Sequence, residues 1–266
     1  IPDLFGGDAH VLVEGQAEGP SAEFLRFIAN SPVTGYNDGA TRGIGATGAG
    51  RLQLKLDIPV RRLGQTKVAG SYQMLANQVD ITGGIPQLTQ VSGRVEFTEA
   101  SVTGRDIAAQ FLGGPASFGL GSRAQGGVVV EAQGSASMAA VRKFVELPLL
   151  DGVGGTGTWR GTLRINQGNL DLNVESPLVG VSIALPEPFI KLPQEALPFR
   201  LEYSSRNDAE FLRRIKAPNL APGGDAFAVS LGTRASGVVL RRRAQGGDQV
   251  DRGAIGIGEP VPAMDR

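Results

Sequence analysis

Cysteine is absent from the chain. Disulfides, cysteine-ligated zinc, iron–sulfur clusters and a thiol nucleophile are therefore excluded, and the redox compartment is left open. Histidine occurs once, at His10. A His-rich metal site is thus excluded, and a Ser-His-Asp triad would have to use this one base. No Gly-x-Ser-x-Gly elbow occurs; Gly180-Val181-Ser182-Ile183-Ala184 is the nearest miss. No run reaches the roughly 18 consecutive apolar residues that a membrane-spanning helix requires. Neither sign of charge is in excess, with 26 Lys+Arg against 26 Asp+Glu. That balance gives no electrostatic footprint for nucleic acid. Aromatic residues make up 6%, too few to line a sugar-stacking cleft. No signal peptide opens the chain. It begins at Ile1, and Ala254 to Glu259 has the pattern of a strand beginning. Both ends are expected to be cut, with any anchor or targeting segment outside this piece.

Glycine is abundant, at 39 residues, about twice ordinary usage of roughly 7%. The glycines punctuate short β-branched runs, as turns between strands do. Alternation dominates. In Arg51 to Ile58 every even position is apolar, and Asn169 to Glu175 repeats the pattern. Such segments form strands with one dry and one wet face. Strands are also predicted over 10–16, 67–75, 91–97, 116–123, 128–134, 159–165, 199–203, 226–231 and 237–242. Helical spacing predicts short helices over 20–30, 137–147 and 207–216. The first two would press Phe24, Phe27 and Ile28, or Val141, Phe144 and Val145, onto a sheet. In the third, Asn207 with Glu210 resembles a capping box, and Pro218 would stop the helix.

The chain repeats itself. Val11-Leu-Val-Glu14-Gly-Gln16 matches Val128-Val-Val-Glu131-Ala-Gln133, and the register persists through Phe24/Val141 and Phe27/Phe144. A repeated strand–helix–strand unit implies related modules sharing one sheet. The expected organisation is a first β module over 1–127, a second, related one over 128–245, and the start of a further strand segment over 246–266.

Candidate chemistry is sparse. Gly43-Ile-Gly45-Ala-Thr-Gly48 and Gly152-Val-Gly154-Gly-Thr-Gly157 match a dinucleotide fingerprint in letters. A strand follows each, where the fingerprint needs a helix N-terminus, so both are expected to be loops between strands. Glu96, Glu99, Asp106 and Glu131 are scattered and fall mostly on wet strand faces. Arg241-Arg242-Arg243 and Arg213-Arg214-Ile-Lys216 are basic clusters expected at strand ends and helix faces, with a weak phosphate or headgroup contact as the alternative. Segment 177–198 sets five prolines among apolar residues. Proline at that density forbids a central strand or a long helix, yet the segment is too apolar for a solvated linker. It is expected to cover either the sheet's own dry face or a ligand lying there.

These residues resemble the YhdP family of AsmA-like proteins. The resemblance rests on Val11 to Gln16 leading to Phe24-Leu-Arg-Phe-Ile28, and on Val91 to Phe97 with Phe111-Leu-Gly-Gly-Pro115. It continues in Ser176-Pro-Leu-Val-Gly180 with Leu185-Pro-Glu-Pro-Phe189 and Lys191, and in Leu240 to Gly246 with Arg252-Gly-Ala254. It implies a bridge-like lipid carrier in the periplasm of a Gram-negative bacterium. Such a carrier is tethered to the inner membrane by an anchor helix outside this segment and moves phospholipid towards the outer membrane. The implied partners are phospholipid acyl chains and the membrane, with no nucleic acid, no cofactor, no metal and no catalytic residue to carry over.

The expected architecture is therefore mainly β with a few short helices, an elongated, twisted sheet curled into an apolar groove. Leu52, Leu54, Leu56, Ile58, Leu163, Ile165, Leu170, Leu172 and Val174 are the lipid-groove candidates. A structural or adhesive β module that binds protein and no lipid is the competing reading.

Overall fold

The alternating segments become strands of one antiparallel sheet. A computed structural model describes residues 9–29, 43–81, 85–123, 126–166, 168–206, 208–217, 220, 223–244 and 247–259. The strands are β1 (His10–Pro20), β2 (Ile44–Pro59), β3 (Lys67–Ile81), β4 (Leu88–Thr98), β5 (Val102–Phe111), β6 (Gly114–Ser122) and β7 (Val128–Ser137). They continue as β8 (Val153–Asn166), β9 (Asn169–Ser176), β10 (Val181–Ile183), β11 (Phe199–Ser204), β12 (Asp225–Leu231), β13 (Ala235–Ala244) and β14 (Gly247–Ile257). Strand order follows chain order from β1 to β14, except that β10 leaves the path to pair with β8. The sheet is mainly β as expected, and it is open, with β1 and β14 at its two ends. The chain divides into two compact units, residues 1–111 with 115–130 and residues 112–114 with 131–266.

Helices α1 (Ser21–Ala29) and α2 (Met138–Val145) each follow a strand directly. Ser21 and Met138 stand at the same offset as Val11 and Val128, so both copies of the sequence repeat place a strand and then a helix in the same register. Ser21 is buried and anchors α1: its hydroxyl oxygen accepts from the Tyr72 phenol at 2.6 Å and from the Asn77 side-chain amide. Phe24 then packs edge-on against Tyr72, with centroids 5.2 Å apart. Of the other side chains expected to pack on the sheet, three stay exposed and Val141 is half-buried. Phe27 is 58% exposed, Phe144 45% and Val145 42%; the side chain of Ile28 lies outside those described. A helix of two turns lying on a flat sheet buries a narrower stripe than its apolar face offers. Helix α2 is held instead by Arg142, whose guanidinium donates to the carbonyls of Asp151 and Val153.

Helix α3 (Ala209–Arg214) starts at a different residue from the one expected. Asp208 is the cap, and its carboxylate accepts from the backbone N–H groups of Glu210 and Phe211 at 3.0 and 2.9 Å. Asn207 and Pro218 lie outside the described residues. Phe211, Leu212 and Ile215 pack with Leu220, Ala226, Val238 and Leu240 as a buried cluster.

The two glycine motifs correct a second expectation. Gly43 and Gly152 precede the strands, but Gly45 and Gly48 lie within β2 and Gly154 and Gly157 within β8, not in loops. Their bare backbone lets another element approach: Gly48 (φ +100°) lies under Asn77, and a Cβ on Gly157 would meet Val181 at 2.8 Å. The glycines serve close packing on a strand and hold no phosphate loop.

Strands β5 and β10 were not foreseen. Ile107 and Ala109 of β5 are buried, but Arg105-Asp106 and a positive φ at Asp106 break its alternation. The last apolar run is not a beginning but the end of β14, an 11-residue strand paired along β13.

Candidate apolar lipid face

Residues directly opposite one another in an antiparallel ladder point to the same face. In the first unit Leu52, Leu54, Leu56 and Ile58 stand opposite Ala17, Gly15, Val13 and Val11 of β1. Leu52, Leu54 and Leu56 face Tyr72, Gly70 and Val68 of β3. Tyr72 and Gly70 face Val95 and Phe97 of β4, which face Gly104 and Val102 of β5. One face is therefore apolar across five strands. Its glycines are roofed by rings: a Cβ on Gly70 would meet Phe97 at 2.6 Å, and one on Gly50 would meet Tyr72. Leu52, Leu54, Leu56 and Ile58 are all half-buried. The row runs into a buried cluster of Leu88, Val91, Ile107 and Ala109, against which Met74 and Val95 pack.

The second unit repeats the arrangement. Leu163 faces Leu172, and Ile165 faces Leu170. Leu172 and Val174 face Tyr203 and Leu201 of β11, which face Phe227 and Val229 of β12. Phe227 and Val229 face Val239 and Gly237 of β13, and these face Gly253 and Ile255 of β14. Leu163, Ile165, Leu170, Leu172 and Val174 are half-buried, and Ile255 is 75% exposed. Helix α3 seals the other face, over Ala226, Val238 and Leu240. The only helix on β12 and β13 thus leaves the apolar row uncovered among the described residues.

Outside the α3 cluster, polar residues dominate the opposite faces. In the first unit Glu14–Lys55 and Glu18–Arg51 are direct cross-strand ion pairs at 3.8 and 2.9 Å, and His10 bonds Asp57 at 2.5 Å. In the second, Glu175–Arg200 (2.6 Å) is a direct cross-strand pair, Asp171 pairs with Arg206 just beyond β11 (2.7 Å), and Glu202 pairs with Arg214 of α3 (2.9 Å). Exposed pairs of this kind add about 0–1 kcal/mol each; their effect is to fix which face meets water. Concave volume also lies chiefly on these wet faces. A cavity of ≈ 660 Å³ is lined mainly by Glu14, Gln16, Gln53, Lys55, Ser71, Arg94 and Glu96. A second, of ≈ 210 Å³, lies beside Arg200, Glu202, Arg214, Ser230 and Ser236. The apolar rows are open, half-buried surface.

Segment 177–198 folds on itself over the start of β8. Val181 and Ile183 pair with Gly155 and Val153, and Ile183 exchanges both backbone hydrogen bonds with Lys191. Lys191 is only 2% exposed; its ammonium donates to the carbonyls of Val181 (2.7 Å) and Leu192 (2.9 Å). Burial pushes this ammonium below its ordinary 10.5, with Glu195 opposing the shift. Val181, Ile183 and Leu197 are buried, Val181 against Gly157 of β8 and Leu197 against Gly232.

The family model described as YhdP protein matches residues 1–265. The chain belongs to the YhdP family. No curated protein and no solved structure matches this YhdP-family chain. Among its described residues no three His, Asp or Glu side chains gather as a metal site, and no helix is long and apolar enough to cross a membrane. Sequence reasoning passed over two features of the YhdP-family chain. One is the wet cavity, built from side chains of five strands that register alone brings together. The other is the pairing of Asp225 with Arg241 at one end of the second apolar row; Arg241 stood out only as one of three arginines.

Proposed function

We propose that the chain is a segment of an envelope lipid carrier of Gram-negative bacteria, tethered to the inner membrane from outside this segment. Its apolar rows hold phospholipid acyl chains on their way between the inner and outer membranes. The reading is non-catalytic: binding rests on burial of apolar surface, at about 25 cal/mol per Å², and needs no constellation of reactive groups. The observation that carries it is the unbroken apolar face across consecutive strands, open on the row that contains Leu172 and Leu201 while a helix closes the opposite side. An apolar sheet face must be covered by something, and membership of the YhdP family supports lipid as the cover.

Native mass spectrometry of the purified chain tests this, alongside Leu54→Asp and Leu172→Asp. The expected result is bound phospholipid in the wild type and none in either variant, with circular dichroism unchanged. A wet, open face tolerates a charge that a sealed core would not. Unfolding of both variants would favour a structural module instead. The polar cavity of ≈ 660 Å³ supports that second reading, with a protein partner docked on the ion-paired face.

A further inference from the structure

The apolar row of the second unit ends in charge. Along β12 and β13, Leu231/Ala235, Val229/Gly237 and Phe227/Val239 are successive same-face pairs, and the next pair is Asp225/Arg241. The guanidinium of Arg241 donates to both carboxylate oxygens of Asp225, from Nε at 2.9 Å and Nη2 at 2.7 Å. It also lies over the Phe227 ring, 4.4 Å from the centroid. Phe227 in turn contacts the Tyr203 ring at 4.7 Å, and the Tyr203 hydroxyl donates to Asp225 at 3.3 Å. The side chains of Asp225 and Arg241 are 15% and 30% exposed, against 38% and 52% for the Glu175–Arg200 pair on the wet face. This pair is therefore partly desolvated, held rigidly by aromatic rings, and placed at one end of a greasy strip.

We propose that Asp225 and Arg241 form a recognition site for a zwitterionic phosphate–amine headgroup whose acyl chain lies along Phe227, Val229 and Leu231. This rests on the carrier reading above and adds to it a headgroup class and a polarity along the strands. The dimensions suit it. Six residue steps from Asp225 to Leu231 span about 20 Å, enough for an acyl chain that fills half of a hydrocarbon core of about 30 Å. The electrostatics select the headgroup. A phosphate is drawn to the planar guanidinium, while an ammonium is drawn to the Asp225 carboxylate. A purely anionic headgroup gains the first contact and meets repulsion at the second. The aromatic floor fixes the arginine fork, so little entropy is lost when a headgroup docks.

The experiment uses the whole chain incubated with vesicles of equimolar phosphatidylethanolamine and phosphatidylglycerol, then separated and analysed for retained lipid. The wild type should retain more phosphatidylethanolamine than phosphatidylglycerol. Asp225→Asn should reverse that preference with total lipid little changed. Arg241→Gln should lower retention of phosphatidylethanolamine roughly tenfold, the loss of one charge-assisted contact. If Arg241→Gln does not fold, Arg241→Lys keeps the charge without the fork and should weaken the preference in a folded protein. Leu172→Asp, on β9 opposite Tyr203, should strip both lipids. Unchanged headgroup preference in the Asp225 and Arg241 variants, with Leu172→Asp still stripping lipid, would overturn the headgroup site and leave the carrier reading standing. Retention of lipid by Leu172→Asp would overturn both. Water-soluble phosphoethanolamine is added in a parallel arm; if it displaces lipid as well as equimolar vesicle lipid does, the site belongs to a soluble phosphate ester and the proposal fails.

Discussion

Removing the ammonium of Lys191 separates two opposing effects. The side chain is buried and donates to the carbonyls of Val181 and Leu192. Leu192 is 53% exposed, so water can replace the lysine there. Val181 is fully buried, and its carbonyl loses this charged donor. Leaving such a group unpaired costs about 1–3 kcal/mol. In Lys191→Met the stem is kept, so the expected loss is about 1–3 kcal/mol. Lys191→Ala also deletes three methylenes, at about 0.8 kcal/mol each, and should lose about 3–5 kcal/mol in all. In a unit of this size each kcal/mol corresponds to about 2–4 °C in Tm. Thermal melts followed by circular dichroism would rank the proteins wild type, Met, Ala. The pH dependence carries its own sign. Desolvation lowers the folded pKa of Lys191 below its ordinary 10.5, so the unfolded chain binds more protons in the window between those values. The advantage of wild type over Lys191→Met should therefore grow as pH rises through that window and stay level at its smallest value below the folded pKa. Equal stability of all three proteins, or an advantage that falls with rising pH, would refute the role given to the Lys191 ammonium.

Five further substitutions follow from the same geometry. Gly155→Ala forces a Cβ to 2.2 Å from the carbonyl of Gly180 at φ +94° and should cost at least about 2 kcal/mol; Gly168→Ala, also at positive φ but in open space, should cost about 1 kcal/mol, as urea titration would show. Asp208→Ala removes the α3 cap, for about 1 kcal/mol, and Leu212→Ala opens the buried cluster, for about 2–5 kcal/mol; the same titration should rank them in that order. Glu18→Ala breaks an exposed pair with Arg51 and should shift stability by less than about 1 kcal/mol.

Much of the fold was legible because period-two alternation is written in single residues. Leu52 to Ile58 and Leu170 to Val174 name their strand and their dry face without help from neighbours. The strand–helix repeat was legible because its two copies keep one register from Val11 to Ala29 and from Val128 onward. What failed depended on partners. Strand β10 is three residues long and exists because β8 offers glycine backbone beside it. The glycine stretches at 43–48 and 152–157 carry no side-chain pattern, so their place inside β2 and β8 follows only from what packs on them. Helix α3 was foreseen, but nothing in Phe211 to Ile215 says which side of the sheet it covers. Phe27 and Phe144 occupy positions that a longer helix would bury. Asp225 and Arg241 are 16 residues apart in the chain and meet only through the β12–β13 register.

The central claim is that lipid lies on one face of the sheet, and neighbouring positions on a strand sample opposite faces. A photoreactive residue placed in turn at Leu54, Gln53, Leu172 and Asn173, with radiolabelled phospholipid supplied in vesicles, tests this directly. The account predicts lipid cross-links from positions 54 and 172 and none above background from 53 and 173. Cross-links confined to 53 and 173, or equal at all four positions, would contradict it.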